Sequence, residues 1–429
     1  MTQQENELLT RVGPGTPAGE LLRRYWQPIA LCEELPPGGA PMPLKILSED
    51  LVLFRDDKSR VGLLALHCSH RGADLSYGRV EDGGLRCIYH GWLYDVAGRC
   101  LDQPGEPNGG EHRQSICHLA YPCVEMAGLV FTYMGPDKPP LLPNYEALGA
   151  PEERRFIRKY FQECSYLQDN EGNIDPVHLS FLHRQFKEDS KDRRGGLGVR
   201  GTELSPDYLY GQDHAPSIEV EVTDFGVRIF AVRRTGADQI FLRVSNFILP
   251  NLCAVPGEAG ADGYNINWHV PIDDTHHWKY MLTFRRSAPL NREVIGKRNA
   301  SETSPNYRLL RNKGNRYLQD REEMKTRTYS GMVGIFPVHD GYATESQGPI
   351  QDRTNEHLSS TDKAIVAERK LLQNAMKDVQ EGREAPHVIR DAEMNRFPHI
   401  QVLSEVVSSS VNVKDHVNRA VRRRETAAE

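Results

Sequence analysis

Two short stretches carry side chains suited to binding transition metals. Cys68-x-His70 and Cys87-x-x-His90 each offer one thiol and one imidazole, within a single run from Cys68 to Trp92, CSHRGADLSYGRVEDGGLRCIYHGW. Two thiolates on one iron and two imidazoles on the other make a [2Fe–2S] centre of raised potential, because neutral imidazoles leave the cluster less negative than four thiolates do. A structural zinc ion also accepts two cysteines and two histidines. Zinc modules, however, usually pair Cys with Cys and His with His, so the mixed order here points to iron and sulfur. Gly72, Gly78, Gly83, Gly84 and Gly91 surround the pairs. They permit tight turns whose backbone N–H groups face cluster sulfurs.

A second group lies downstream, in NEGNIDPVHLSFLH from Asn170 to His183, which contains Asp175, His178 and His183. Two neutral imidazoles and a carboxylate on one face of an iron leave other positions open, the arrangement of non-haem Fe(II) oxygenases. On a regular helix, residues five apart are separated by about 140°. The two histidines therefore share a metal only where the helix breaks or bulges, and Pro176 makes a local irregularity the expectation. The ordinary alternative is a pair of helix histidines near the surface.

These residues need a scaffold, and 429 residues suffice for two or three domains. With 38% hydrophobic and 26% charged residues the chain reads as soluble and globular. A net charge of −6 without a polybasic run argues against nucleic acid or an anionic membrane as partner. No apolar run is long enough to span a bilayer. The polar start MTQQENELL lacks a signal-peptide core, so the expected location is the cytoplasm. Cys32, Cys100, Cys117, Cys123, Cys164 and Cys253 are scattered and read as reduced packing residues. Gly13-x-Gly15 follows no strand and is stiffened by Pro14 and Pro17, so a turn is the better reading than a phosphate loop.

The N-terminal segment 1–39 reads as a helical lead-in, with a helix from Ala18 to Trp26. Residues 40–140 then alternate as short strands, and the proline-rich DKPPLLPNY closes that part as a linker. Residues 141–429 form the rest, with antiparallel strands over 218–284 and an amphipathic helix from Thr361 to Gln380. Ile218, Val220 and Val222 alternate with Glu219, Glu221 and Thr223, as in a half-buried sheet.

C-x-H…C-x-x-H followed by D-x-x-H-x-x-x-x-H resembles the oxygenase α subunits of Rieske non-haem iron ring-hydroxylating oxygenases. NELLTRVGPGTP, the cluster run, WHVPIDDTH and GPIQDRTNEHL are similar to the phthalate 4,5-dioxygenase branch in particular. Membrane-bound respiratory Rieske proteins do not match, since no extra cysteines stand in the cluster loops. The resemblance implies an α+β chain: a small all-β Rieske domain, then a helix-grip catalytic domain of antiparallel sheet and helices. It implies a homo-oligomer of α subunits, a trimer or stacked trimers, fed by a separate NAD(P)H-dependent flavin reductase.

By the same resemblance Cys68, His70, Cys87 and His90 hold the cluster, while His178, His183 and Asp340 hold a mononuclear Fe(II). Asp340 fits the family's spacing before Gly-Pro-Ile; Glu345 and Asp352 are its competitors. Asp175 then becomes a bridge between an iron-ligand histidine and a cluster histidine of a neighbouring subunit, rather than a ligand. The implied reaction uses O2 and supplied electrons for ring cis-dihydroxylation or O-demethylation of an aromatic carboxylate. Arg243 stands where a carboxylate-binding arginine is expected, and its fork matches that group. Ser217 stands near the place of a second one. A quaternary amine is the other substrate class, and it calls for an aromatic cage. The stretch from Lys187 to Gly211 reads as a loop able to reshape the pocket mouth.

Overall fold

A computed structural model describes residues 1–111, 113–186 and 198–428. The N-terminal part holds three small antiparallel sheets. Met42–Ile46, Glu49–Arg55, Val61–Ala65 and Ala120–Tyr121 form one sheet in that order. Arg79–Glu81, Gly84–Arg86, Leu93–Tyr94 and Cys100–Asp102 form a second. The Cys87/His90 loop joins two strands of this second sheet, whereas the Cys68/His70 loop follows Val61–Ala65 of the first. Val52, Phe54, Leu64, Leu85, Trp92 and Tyr94 pack together between them, in the same apolar cluster as Cys68 and Cys87.

One difference from the sequence reading concerns the lead-in. Helices Gln3–Thr10 and Pro17–Arg23 are present, but Gln27–Leu31 is a strand pairing with Leu129–Thr132, which pairs in turn with Cys123–Met126. All five residues of that QPIAL strand are buried, and Pro28 cannot donate the N–H a helix interior needs.

The larger part is built on an antiparallel sheet. Its order is Arg155–Gln162, His276–Arg285, Gly263–Asp273, Leu252–Val255, Gln239–Ile248, Gly226–Arg234, Ser217–Val222. Leu403–Ser408 also pairs with Gln239–Ile248, beyond the end of the short Leu252–Val255 strand. Ser217–Val222 is the edge, and its alternation fades there: Ile218 is buried but Val222 is 64% exposed. The Lys363–Gln380 helix packs against the same edge and against the Pro17–Arg23 helix, with Ala364, Leu372, Ala375 and Met376 buried.

One register relation positions the site. Arg158 pairs with Met281, Met281 with Asn267, Asn265 with Val255, and Arg243 with Ser404. Opposed residues share a face, so this set forms one side of the sheet. Further along the same face His269 pairs with Lys279. The Tyr166–Ile174 helix lies over that end, where Asp169 meets both of them.

Candidate active site

The cluster loops are near copies of each other. Gly72 N–H donates to Cys68 O at 2.8 Å, and Gly91 N–H donates to Cys87 O at 3.0 Å. Gly72 and Gly91 have φ of 74° and 78°, left-handed values that a side chain disfavours. Each loop thus turns back on its cysteine after four residues. Cys68 and Cys87 are each 3% exposed, whereas His70 and His90 are half-buried at the rim with ring centroids 4.5 Å apart. His70 stacks on Trp92, and its Nδ1 is buried with no hydrogen-bond partner, which fits an imidazole that gives this lone pair to a metal. Tyr94 Oη is 3.2 Å from Cys68 Sγ, a contact able to tune a bound cluster. A single tetrahedral zinc draws its four ligands within about 4 Å of one another. Among the described residues, the metal-binding groups that converge this closely do not include these four. Two separated irons suit them better.

The second group does converge. Ligand atoms of His178, His183 and Asp340 all lie within 4.8 Å of one another. The means is a broken helix. Tyr166–Ile174 ends at Asp175, whose backbone is extended at ψ 117°, as expected before Pro176. His178–Ser180 resumes as a single 3-10 turn, and the His178 and His183 rings come to 5.0 Å. Proline thus supplies a break, with no bulge. Asp340 arrives on the Phe336–Glu345 helix, which Pro337 starts in its first turn. His183 Nε2 stands 3.0 Å from Asp340 Oδ1. Burial works against ionisation of Asp340, yet nearby positive charge, the Lys279 ammonium included, holds its carboxyl below the usual range. Burial pushes the His183 pKa down. Two imidazoles and a carboxylate are the donor set an open Fe(II) site uses.

The competing acids are engaged elsewhere. Glu345 accepts from Tyr317 Oη at 2.5 Å and from Glu163 N–H at 3.0 Å. Asp352 accepts from Thr354 N–H at 3.0 Å. Asp175 sits beside the group: its Oδ1 accepts Val177 N–H at 2.7 Å, and its Oδ2 lies 3.5 Å from His178 Nδ1.

Sequence reasoning missed two neighbours of the triad. His339, next to Asp340, places its Nδ1 2.9 Å from His183 Nδ1. Lys279 is 1% exposed and puts its Nζ 3.0 Å from Asp169 Oδ1 and 3.8 Å from Asp340 Oδ2. Asp169, His269 and His277 form a second converging set. The Lys279 ammonium already neutralises Asp169, and its like charge opposes a divalent ion there. The set reads as a buried ion network beneath the helix. Its members follow the WHVPIDDTHHWK signal, though nothing in that string announces Asp169.

A cavity of about 180 Å³ opens at the triad. One water needs roughly 10–15 Å³, so a substituted aromatic ring fits. His178, His183 and Asp340 line it, together with Phe336, Tyr210, Asn265, Asn267 and three arginines, Arg158, Arg243 and Arg298. Arg158 and Arg298 both pair with Glu258. Arg243 is 5% exposed, and among the described residues no carboxylate reaches it. Its Nε is buried without an acceptor. Ser217 is exposed and not among the cavity residues. Of the expected loop, residues 187–197 lie outside the described residues, and its end is instead the helix Pro206–Gln212, capped by Ser205 and started by Pro206; Gly198, Pro206 and Tyr210 line the cavity.

Comparison with known proteins agrees with this geometry. Residues 25–125 match the Rieske [2Fe-2S] domain family, and residues 132–427 match the family described as LigXa C-terminal domain like. The chain is 36% identical to the phthalate 4,5-dioxygenase oxygenase subunit of Pseudomonas putida, over 98% of this chain and 96% of that one. The chain belongs to the Rieske non-haem iron oxygenases. It is an oxygenase component, with a [2Fe–2S] cluster and a mononuclear iron as its cofactors. It is also 34% identical to the 3-chlorobenzoate-3,4-dioxygenase oxygenase subunit of Comamonas testosteroni, over 92% of this chain and 93% of that one. Among solved structures, dicamba monooxygenase bound to dicamba aligns with a TM-score of 0.59 at 19% identity, covering 85% of this chain and 100% of that one. The α+β architecture expected from the sequence is thus the family's fold. Among the described residues no helix is long and apolar enough to cross a membrane.

Proposed function

We propose that this chain is the terminal oxygenase of a multicomponent system that hydroxylates or O-demethylates an aromatic carboxylate. The observation that carries the substrate class is Arg243. A guanidinium buried in the cavity wall, with no acid partner among the described residues, is costly unless a ligand supplies the anion, and a carboxylate matches its fork. A quaternary amine fits less well. Phe336 lies against His183 rather than forming a cage, and the wall carries cationic side chains.

When bound, the cluster supplies single electrons and the mononuclear iron supplies oxygen activation. Residues 40–140 form the electron-input domain in this reading, with Cys68, His70, Cys87 and His90 as cluster ligands. Residues 141–429 form the catalytic domain, with His178, His183 and Asp340 as iron ligands. Arg243 anchors the carboxylate and thereby sets which ring carbon or methoxy group faces the triad. Asn265 and Asn267 border the space left for the ring.

Asp175 holds His178 in orientation and bridges to a cluster histidine of a neighbouring subunit, so a homotrimer, single or stacked, completes the site. The exposed Tyr77, Ile88 and Tyr89 beside the cluster loops support a covered surface there. A separate NAD(P)H-dependent flavin reductase supplies electrons, in the cytoplasm. The test is substrate-stimulated oxygen uptake with a surrogate reductase over aromatic acids and methyl ethers. Uptake coupled to a hydroxylated or demethylated acid is expected; stimulation only by uncharged or cationic compounds overturns the substrate class.

A further inference from the structure

His339 lies one residue before Asp340 and is 1% exposed. Both ring nitrogens are engaged. Nε2 lies 2.6 Å from Val333 O and 3.2 Å from Ser330 Oγ, while Nδ1 lies 2.9 Å from His183 Nδ1. A backbone carbonyl accepts and never donates, so the His339 Nε2 must carry the hydrogen. In that neutral tautomer Nδ1 is an acceptor, and the hydrogen between the two rings belongs to His183 Nδ1. With a metal in the triad, His183 Nε2 is then the nitrogen that gives its lone pair, and it is the one that faces Asp340 Oδ1 at 3.0 Å.

We infer that His339 is a positioning residue that fixes the tautomer of His183, with the Val333 carbonyl as the reference point. The inference rests on the reading of His183 as an iron ligand. Val333 supports it: this β-branched residue has φ of 52°, an unfavourable left-handed value. Strain held at one residue beside a site is a sign of function, and here the strained residue is the one whose carbonyl meets His339. His183 is fixed on its other side by Phe336, stacked at 4.2 Å with the planes 14° apart. Stacking sets the ring plane but cannot distinguish the two nitrogens. The hydrogen bond that His183 Nδ1 donates to His339 Nδ1 does so.

The reverse tautomer is excluded by the same contacts. If His183 carried its only hydrogen on Nε2, its Nδ1 would need a donor. His339 could donate only by carrying a hydrogen on both nitrogens, a cation in a site 1% exposed. An acceptor at position 339 is therefore what the ligand needs.

The test uses the full chain with its cluster, whose visible absorbance reports folding. His339→Gln offers an amide oxygen to His183 and an N–H to Val333; His339→Leu fills similar space with neither. Fe(II) affinity of the mononuclear site is read by competition with a chromophoric chelator. The expected result is a loss of about 10- to 100-fold for His339→Leu, with His339→Gln within a few-fold of the parent. Equal affinities for all three, or equal losses in both variants, overturn the inference.

A second measurement needs no variant. With Co(II) in the site, proton NMR of the parent should show a slowly exchanging, paramagnetically shifted ring N–H from His183. Rapid exchange of that proton overturns the inference even if His339→Leu does not fold. If the parent chain binds no mononuclear Fe(II), the ligand reading itself fails and takes this inference with it.

Discussion

Lys279 Nζ lies 3.8 Å from Asp340 Oδ2 while it pairs with Asp169 Oδ1 at 3.0 Å. The triad therefore has a fixed cation at its back, placed by a strand of the sheet and anchored by the helix above it. Burial disfavours that charge, but Asp169 and Asp340 hold the Lys279 pKa above its usual value. Lys279→Met strands Asp169 at 1% exposure and should destabilise the fold by about 3–5 kcal/mol. Adding Asp169→Asn should recover most of that loss in urea denaturation. In the single variant the potential of the mononuclear iron should fall, because the cation that disfavours the ferric state is gone while the Asp169 carboxylate remains. An unchanged potential would mean that Lys279 acts on the fold alone.

Arg243 predicts a charge-selective defect. Arg243→Gln should weaken binding of an aromatic acid by about 10- to 100-fold, the value of a charge-assisted hydrogen bond. Its methyl ester should bind the variant and the parent alike. Equal losses for acid and ester in calorimetric titration would reassign Arg243 to packing.

Asp175 predicts a separation of metal content from turnover. Asp175→Ala should leave the cluster spectrum and the iron content unchanged while substrate-dependent reoxidation of the reduced cluster slows by orders of magnitude. The comparison needs the intact oligomer, checked by sedimentation. Full turnover with both metals present would remove the bridge.

Glu368 predicts a pH dependence of stability. It is fully buried, and Asn170 Nδ2 donates to its Oε1 at 2.6 Å. Burial and then the nearby Glu171 push its pKa well above the ordinary 4.5. The folded protein therefore holds this proton more tightly than the unfolded chain does. Its contribution is complete below about pH 4.5 and is lost as pH rises toward the folded value. Glu368→Gln keeps an acceptor for Asn170 without the titration. The variant should gain on the parent as pH rises from 4 to 8, by about 1.4 kcal/mol for each unit of the shift. A gap between the two that does not change with pH would contradict the assignment.

Much of the candidate site was legible because its proposed ligands lie close in sequence. Cys68, His70, Cys87 and His90 fall within one run, and Pro176 announces the break that brings His178 to His183. Asp340 was reachable only through family spacing, since no local pattern ties residue 340 to residue 183. The neighbours were not legible. Asp169 and Lys279 are 110 residues apart, and only strand register together with helix docking brings them into contact. His339 differs from other histidines only in what its nitrogens touch. The strand at Gln27–Leu31 was hidden for a related reason: its partner, Leu129–Thr132, enters a hundred residues later.

The central claim is that this chain oxygenates an aromatic carboxylate held by Arg243 beside His178, His183 and Asp340. Its most direct test is oxygen uptake by the reconstituted chain with a surrogate reductase, measured together with product identity across matched acids and their esters. The account predicts uptake that depends on the free carboxylate and yields a ring-hydroxylated or demethylated acid in step with oxygen consumed. Uptake indifferent to the carboxylate, with no oxygenated product, would contradict it.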